Sequence, residues 1–466
     1  MRNNMSKKMH NALNKSMTGA AVLMLSLMTG SAFAKVSEED AAKLGESLTP
    51  LGAVKAGNAD GSIPAWTGGL ISGGEASASE DPGRPANPFP GDKPKFEITN
   101  ANLDQYKAHL SPGQVAMFKK YPDYRMPVYE TRRTAAYPND LYNVVKKNAT
   151  TAELVSGGNG LANFDSVIPF PMPQSALEVV WNHITRYRGG SGERTMTTIP
   201  VQADGSFVPV KMVDQLVWPE FLDGGRDAKK DDNVLFYYLQ QITAPARLTG
   251  SALLVHETVD QVQEARRAWV YNAGQRRVRR APNVAYDGPA TGVDGLRTAD
   301  NLDMFNGAPD KYDWKLVGKR EMYIPYNDYK LMDPSLKYED LVDAGHLNPD
   351  YLRYELHRVW VVEATLKEGE RHIYAKRTFY IDEDTWGASV IDHYDGRGKL
   401  WKMAEGHNVM FYDVNTPWMA AETLHDLDSG RYLVTGLANE EPQFMDWDNK
   451  AKRRDFSSAA LRRIGR

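Results

Sequence analysis

The second half of the chain is a succession of short segments in which apolar and polar residues alternate, separated by brief turns that contain glycine. Four of these turns lie at 272–275, 367–370, 395–398 and 428–430. A turn of a few residues joins neighbouring antiparallel strands and leaves no room for a crossover helix, so the pattern predicts a meander of hairpins. The predicted strands are 194–201, 206–213, 233–243, 250–257, 267–272, 275–281, 313–323, 354–366, 371–381, 386–394, 399–413, 419–425 and 431–438.

A meander of this length must cover its apolar face. It can do so by curling into a barrel or half-barrel around a helix or a ligand. Residues 298–306 have the composition of a short capped helix between strands, and a helix there could cover the open side. We therefore predict an α+β fold in which a large curved antiparallel sheet wraps around helices.

The first part of the chain shows the periodicity of helices instead. One predicted helix starts at Pro112 and another at Pro138. Ser175 and Glu178 form a capping-box pattern that opens a further amphipathic helix. Residues 70–95 are rich in glycine, serine, proline and alanine, which is typical of an extended linker. We predict an N-terminal helical extension that precedes the sheet.

The first 34 residues have the three parts of a secretory signal peptide. Basic residues including Lys7 and Lys8 come first, an apolar stretch covers 17–28, and Ala32 and Ala34 form the small-residue site. The apolar stretch is shorter than the roughly 20 residues that span a bilayer. We expect cleavage after Ala34 and delivery into the periplasm of a Gram-negative cell. The alternative is an uncleaved anchor.

Four segments follow from these patterns. We assign 1–34 to the signal peptide and 35–155 to the coil and helical extension. The half-barrel domain is predicted to cover 156–440, and a C-terminal tail covers 441–466.

The chain contains no cysteine, so disulfides and thiolate chemistry are impossible, and no cysteine is available for lipoprotein acylation. Without residues 1–34, which hold four basic residues and no acid, 52 basic and 60 acidic residues remain, a net charge of −8. This balance argues against a general nucleic-acid-binding protein, whose surface would be basic. No later apolar run approaches about 18 residues, so we expect no membrane-spanning segment.

Signatures of enzymes are mostly absent from the sequence. His256-Glu257 does not continue into a zinc-protease motif, no phosphate-binding loop occurs, and Ser191 lacks the last glycine of a nucleophile elbow. Asp382 and Asp384 are close in sequence but fall in a predicted turn, where aspartate makes local hydrogen bonds. We therefore predict no catalytic residue and no cofactor.

Histidines could form pairs between neighbouring strands. His357 and His372 could face each other across one predicted turn, and His393 and His407 could do likewise elsewhere. Such pairs can bind a metal ion. Because the residues at every second position on the same side of these strands are polar, we favour a solvated face of the sheet and predict no metal site.

Arginine is concentrated around a single predicted hairpin. Arg276, Arg277, Arg279 and Arg280 follow its turn. A basic stripe on one strand can bind phosphate head groups or an acidic partner protein. The alternative is a solvated strand face paired with neighbouring acids such as Glu264.

Large aromatic side chains are abundant, with ten tryptophans and 23 tyrosines. Several lie on predicted strands or on the helix after Ser175, where they can form a core or line an apolar cavity. We predict Met304 and Phe305 on a lid over such a cavity. The other predicted wall residues are Trp181, Trp218, Phe236, Tyr238, Trp269, Trp360, Phe379 and Trp386.

Several long motifs resemble a large Gram-negative family known as domain of unknown function 1329, and the resemblance covers essentially the whole chain after the signal peptide. The motifs are the runs 57–69, 121–125, 181–183, 267–282, 303–305, 374–382 and 460–463. That family looks like a large relative of the periplasmic lipoprotein carriers LolA and LolB. The pattern from Tyr380 to Trp386, followed by 395–400, also resembles a hairpin of that superfamily.

The resemblance implies a half-barrel with an apolar cavity closed by helices. It also implies a link to resistance-nodulation-division type exporters and outer-membrane barrel proteins. No catalytic residue carries over, because the activity of the family is not established. We predict a periplasmic carrier or chaperone for a lipid, acyl chain or lipoprotein. The alternatives are a periplasmic enzyme acting on a hydrophobic or glycan substrate and a structural adaptor of an exporter complex.

Overall fold

The computed structural model describes residues 36–71, 83–281 and 286–464. The predicted signal peptide, 1–34, lies outside the described residues. The described residues belong to a single compact unit, and the predicted boundaries after 155 and 440 stay predictions. In the part of the chain that the structure describes, no helix combines the length and the apolar character needed to cross a bilayer.

Most helices lie in the first 190 residues, as the sequence predicts. The α-helices are α1 (Glu38–Ala41), α2 (Leu103–Tyr106), α3 (Pro112–Lys120), α4 (Asn139–Thr151), α5 (Ala176–Thr185), α6 (Tyr338–Leu341) and α7 (Ser458–Ile464). The expected capping box opens α5, where Ser175 and Glu178 bond to each other's backbone. The starts predicted at Pro112 and Pro138 are confirmed within one residue.

The strands begin before the second half of the chain but are concentrated there. They are β1 (Phe96–Ile98), β2 (Met126–Val128), β3 (Glu153–Val155), β4 (Gly160–Ala162), β5 (Ser191–Val201), β6 (Val210–Val217), β7 (Val234–Ala244), β8 (Ala252–Thr258), β9 (Arg267–Asn272), β10 (Arg277–Arg280), β11 (Tyr312–Pro325), β12 (Tyr354–Leu366), β13 (Lys376–Asp382), β14 (Ala388–Tyr394), β15 (Leu400–Phe411), β16 (Thr416–Asp426), β17 (Tyr432–Leu437) and β18 (Met445–Asp446).

Two antiparallel meanders form the body of one 16-stranded sheet. The first runs from β5 to β10 and the second from β11 to β17, each strand pairing with the next. Strand β17 joins the two by pairing with β5, so that Tyr432 lies opposite Val201. The path of neighbouring strands ends at β1 and at β10, so the sheet is open and not a closed barrel. The predicted α+β fold, with a large, mostly antiparallel sheet and an N-terminal helical part, is confirmed.

Both faces of the sheet are covered, whereas the sequence pattern had indicated one apolar face. On β12, Val362 and Ala364 belong to one buried cluster, and Val359 and Val361 belong to another. We call the first cluster, which includes buried residues of α4 and α5, the aromatic core. The second contains buried residues of α3 and is called the opposite core. Alternation on these strands therefore separates two cores and not a core from solvent.

Helix α3 covers the opposite core because its first turn fits closely on β14. Ser111 Oγ and the N–H of Gly113 both donate to one carboxylate oxygen of Asp392, each at 3.0 Å. A Cβ atom at position 113 would lie 2.2 Å from that oxygen. Only glycine therefore allows this approach. Burial raises the pKa of the Asp392 carboxyl to about 7.

Candidate ligand-binding site

The structure brings nine of the ten predicted ligand-binding residues together. Eight are buried in the aromatic core: Trp181, Trp218, Phe236, Tyr238, Met304, Phe305, Phe379 and Trp386. Trp360 packs against them from the same face. Trp269 does not join this group, because it packs against a smaller cluster on the other face, beside α7.

One irregular segment lies over the aromatic core. Residues 286–311, which connect β10 to β11 and hence the two meanders, are called the cover. In place of the helix expected at 298–306, the cover contains a single 3-10 turn at Ala299–Asn301. Phe305 reaches from the cover into the core, with its ring centroid 5.3 Å from that of Phe379. The segment that carries Met304 and Phe305 thus lies over the aromatic core, but it is irregular coil and not a helix.

The carboxylate of Asp303 fastens the cover to the end of α5. Its two oxygens accept hydrogen bonds from the guanidinium groups of Arg186 and Arg188. Burial on its own would raise the pKa of the Asp303 carboxyl, yet the two arginines hold that pKa well below its usual range. Burial lowers the pKa of Arg188 to about 10, so Arg188 is still protonated at neutral pH. The three groups form a largely buried ionic cluster.

His183 holds the backbone of Asp303. The N–H of Ala388 donates to His183 Nδ1 at 3.1 Å, so the ring proton is on Nε2. Nε2 then donates to the carbonyl oxygen of Asp303 at 3.1 Å. Burial, together with the positive charge of Arg186, lowers the pKa of His183 to about 3. A neutral imidazole therefore connects strand β14 to the cover.

The backbone of the cover is strained where it is fastened. Asp303 and Met304 have φ of 54° and 64°, the left-handed region that residues other than glycine avoid. Such a conformation costs of the order of 1–3 kcal/mol per residue and persists only when its surroundings hold it. The N–H of Met304 donates to Glu422 Oε2 at 2.8 Å, a second contact that fixes this geometry. Burial raises the pKa of Glu422.

Two more polar residues of the cover, three positions before and after Asp303, make similar contacts. Asp300 accepts hydrogen bonds from Arg377 at 2.8 Å and from His372 at 3.0 Å. Burial opposes ionisation of Asp300, but Arg377 and His372 keep its pKa well below the usual range. Asn306 donates to Glu257 at 2.9 Å. The cover is thus held to the sheet mainly by side-chain contacts and not by strand pairing.

A cavity of about 40 Å³ lies where the cover meets the aromatic core. Its walls include Arg188, Arg194, Phe236, Tyr238, Leu302 and Glu422. Binding sites for organic ligands are usually about 300–1,000 Å³, so this cavity is far too small for an acyl chain. Surface depressions of about 330 and 690 Å³ also occur, but none of the ten predicted ligand-binding residues lines them. With the cover in place, the aromatic core is filled by its own side chains.

The four predicted partner-binding arginines lie on and beside an edge strand. Among the strands of the described residues, β10 pairs only with β9, and Arg276, Arg277, Arg279 and Arg280 are all exposed. Within the described residues the side chain of none of the four makes a hydrogen bond or an ion pair; their backbone contacts are those of the β9–β10 ladder. Helix α7 packs beside this hairpin and adds two exposed arginines, Arg462 and Arg463. Val278 packs in the same cluster as Leu461 of α7, so Arg280 lies on the side of the hairpin that α7 occupies, and Arg277 and Arg279 lie on the other side. We call these six residues, which surround the edge of the hairpin, the arginine surface.

The histidine pairs suggested by the sequence do not form. His357 lies opposite Met322 of β11, and His372 belongs to the loop before β13. His393 lies opposite a lysine, and His407 opposite an alanine. The expectation of a solvated face is also wrong, because the side chains of all four are almost completely buried.

The polar residues that fasten the cover were not singled out from the sequence. In the sequence, Asp303 stands out only as part of the family-like run 303–305, and His183 only as the last residue of the run 181–183. Arg186 and Arg188 follow directly after α5, where a charged pair alone carries no functional signal. A polar residue at every third position, at 300, 303 and 306, is the one local pattern that distinguishes the cover.

Several solved structures of bacterial proteins have a backbone fold that is partly similar to that of this chain. A protein domain named for outer membrane lipoprotein sorting, from Vibrio parahaemolyticus, has a TM-score of 0.42 and 15% identity over 62% of this chain and 98% of that chain. A DUF1329 family protein from Desulfovibrio piger has a TM-score of 0.40 and 16% identity, over 58% of this chain and 91% of that chain. A LolA superfamily protein from Nitrosomonas europaea has a TM-score of 0.37 and 13% identity, over 62% of this chain and 100% of that chain. Similarity at this level says nothing about function on its own.

The sequence comparisons are much stronger. An uncharacterized protein from Pseudomonas aeruginosa is 59% identical over 452 residues, which cover 97% of this chain and 99% of the relative. The model of the family described as "Protein of unknown function (DUF1329)" matches residues 97–462. The match includes α2 to α6, most of α7, the whole of the two meanders and the cover. The resemblance inferred from the sequence motifs is confirmed, and the chain belongs to the DUF1329 family.

Proposed function

We propose that the protein is a periplasmic carrier that binds an acyl chain against the aromatic core once the cover has moved aside. The observation that carries the proposal is the nature of the cover. It is an irregular segment over a surface of large apolar side chains, and it is fastened by ion pairs, side-chain hydrogen bonds and a few buried apolar side chains, not by strand pairing. Its polar contacts can be exchanged for contacts with water, and their loss would leave the strand pairing of both meanders intact.

A shielding surface is what an acyl chain requires in water. Each exposed CH₂ group costs about 0.8 kcal/mol, so aqueous transit of a long chain needs a protein that buries it. Displacing the cover would uncover Met304 and Phe305 on the segment itself and the aromatic core beneath. Release of the left-handed conformation at Asp303 and Met304 would offset part of the lost contacts.

The periplasmic location rests on the N-terminal sequence. A basic region, a short apolar stretch and the Ala32-Phe33-Ala34 site support export and cleavage. A chain without cysteine is also indifferent to the oxidising conditions of that compartment.

The proposal predicts that the protein carries a lipid when it is isolated from cells. The experiment is to purify the chain from the periplasm of its own host and to compare its native and denatured masses. We expect a bound species that a lipid extraction removes, and uptake of a fluorescent fatty acid by the emptied protein. An emptied protein that takes up neither fatty acids nor phospholipids under any condition would contradict the proposal.

A carrier must also meet the membrane that supplies or accepts its cargo, and we propose that the arginine surface does this through lipid phosphates. Arginine matches phosphate with two parallel hydrogen bonds, and the exposed arginines of β10 have no competing acidic partner within the described residues.

Reversing two of these charges should therefore weaken membrane binding. Each basic residue near an anionic surface contributes about 1 kcal/mol. We expect the Arg277→Glu/Arg279→Glu variant to bind vesicles of phosphatidylglycerol and phosphatidylethanolamine at least about 30-fold more weakly in a sedimentation assay. The Lys146→Glu/Lys229→Glu variant changes as many exposed charges elsewhere and is the control. Equal binding by both variants would contradict a role for the arginine surface.

The packing of the aromatic core favours a second candidate, a structural adaptor. A core filled by its own side chains, with a cavity of only about 40 Å³, needs no ligand to be stable. In that case the cover would stay in place, and the purified protein would be free of lipid and unable to bind any.

A further inference from the structure

A gap between three buried ligand atoms lies at the turn between β13 and β14, away from the cover. Nδ1 of His357 is 4.0 Å from an oxygen of Asp382 and 4.0 Å from an oxygen of Asp384. Each of the three residues can offer one atom to a group whose members all lie within 4.8 Å of one another. All three residues are at least 97% buried. These separations are too long for hydrogen bonds between the three side chains.

The orientation of His357 leaves Nδ1 free to act as a ligand. Its other ring nitrogen, Nε2, is 3.1 Å from Oε2 of Glu355. That carboxylate is in turn fixed by Arg353 at 2.6 Å and by Asn327 at 2.9 Å. A histidine that donates one N–H to a fixed carboxylate and points its other nitrogen at a gap has the arrangement typical of metal-bound histidine.

The carboxylate of Asp382 supplies an independent observation. One of its oxygens accepts from the N–H and the hydroxyl of Thr385, at 2.9 and 2.8 Å. The other, Oδ1, is the atom that faces His357 across the gap, and it has no hydrogen-bond partner. Nor does Asp382 form an ion pair with any lysine or arginine of the described residues. A fully buried carboxylate oxygen without a partner is costly unless a cation or a donor occupies the space before it.

Aromatic and polar neighbours close the gap from other sides. The ring of Tyr326 stacks on His357 at a centroid distance of 3.9 Å, and its buried hydroxyl also lacks a partner. Arg133 binds the carboxylate of Asp384 with two hydrogen bonds, at 2.6 and 2.8 Å, which fixes the direction of that side chain. The ligand atoms are therefore held by their surroundings, as in a preformed site.

We propose that His357, Asp382 and Asp384 bind a divalent first-row transition-metal ion of the zinc class. A point equidistant from three atoms separated by 4.0–4.8 Å lies about 2.3–2.5 Å from each, slightly more than zinc–nitrogen and zinc–oxygen bonds and within reach of a small side-chain movement. One imidazole and two carboxylates match the ligand preferences of zinc. The ion occupies the space before Asp382 Oδ1.

The position of the site indicates a structural role for the ion. Arg133, bound to Asp384, also donates to the carbonyl oxygens of Val54 at 2.9 Å and Lys55 at 3.2 Å. The metal thus joins strands β12 and β13 to the N-terminal segment that lies on them. Binding of the ion and docking of this segment should be linked, because each holds Asp384 in place.

The test uses the full chain after the signal peptide, prepared without an affinity tag that binds metals. The protein is stripped with a chelator, and Zn²⁺ is titrated in by calorimetry, with metal content measured by mass spectrometry. We expect about one ion per chain, and at least about 100-fold weaker binding by Asp382→Asn and His357→Gln. Asp392→Asn is the matched control, because Asp392 is also a buried aspartate with an oxygen that lacks a partner, but it lies outside the site.

A second measurement does not depend on how well the variants fold. X-ray absorption of the zinc-loaded wild-type protein should show a mixed nitrogen and oxygen shell with one imidazole. Failure of the stripped wild-type protein to bind Zn²⁺, Mn²⁺ or Co²⁺ in a fixed ratio would overturn the proposal. So would a shell without imidazole, or unchanged affinity in folded Asp382→Asn protein.

Discussion

Replacing Asp303 with asparagine is expected to lower the free energy of unfolding by about 3–5 kcal/mol, the usual effect of removing one partner from a buried ion pair. Asparagine has nearly the same size, so the change creates no cavity. It leaves the guanidinium groups of Arg186 and Arg188 largely buried without their counter-charge. It also weakens the contact that holds the strained backbone at Asp303 and Met304. On the carrier proposal, the same variant should take up a fluorescent fatty acid faster than the wild type.

The effect can be measured by urea unfolding together with the rate of probe uptake. Asp294→Asn is the matched control, since it makes the same chemical change in the same cover. The Asp294 carboxylate is 59% exposed and pairs with Arg431 at the surface, whereas that of Asp303 is 19% exposed. Loss of a surface pair of this kind usually changes stability by about 0–1 kcal/mol. A less stable Asp303→Asn protein with unchanged uptake would favour the structural adaptor, and unchanged stability would contradict the anchoring role.

The parts of the fold that could be predicted from the sequence are those set by neighbouring residues. Turns such as 395–398 join consecutive antiparallel strands because a short glycine-containing loop allows little else. The capping pattern of Ser175 and Glu178 likewise satisfies backbone groups within one helical turn. Such signals are complete within a few residues and do not depend on the rest of the molecule.

The cover could not be predicted in this way, because distant residues determine its conformation. Asp303 meets Arg186, which lies 117 positions earlier in the chain. Local sequence at 298–306 favours a capped helix, but the polar side chains of Asp300 and Asn306 find buried partners on the sheet instead. The conformation with positive φ at Asp303 and Met304 is stable only with those partners.

The histidines show a second limit. A pairing of His357 with His372 assumed that the strand after the turn begins at residue 371, but β13 begins at Lys376. Alternation of polar and apolar residues also predicts that the polar side of a strand is solvated. In this sheet both faces are covered, and the polar residues between the two cores meet one another. The sequence therefore draws attention to His357, Asp382 and Asp384 separately, but it does not show that the three side chains lie close together.

The second large effect is expected at Trp386, whose replacement by alanine should lower the free energy of unfolding by about 3–5 kcal/mol. Trp386 is fully buried in the aromatic core and stacks on Trp360 at a centroid distance of 6.2 Å. Its indole N–H donates to the carbonyl oxygen of Leu51 at 2.9 Å. Alanine would leave a cavity in the aromatic core and a buried carbonyl without a donor. It would also remove a direct link between the N-terminal segment and the sheet.

Trp386→Phe separates these contributions, because phenylalanine keeps much of the ring packing but cannot donate to Leu51. Its expected loss is about 1–3 kcal/mol, chiefly the cost of leaving the carbonyl unpaired. In both variants, amide hydrogen exchange around Leu51 should be faster than in the wild type, while exchange in α3, which packs on the opposite core, is the internal reference. If the free energy of unfolding of Trp386→Ala lies within about 1 kcal/mol of the wild-type value, the aromatic core tolerates a space as large as an indole ring. Its side chains could then rearrange around an apolar guest without the cover being displaced.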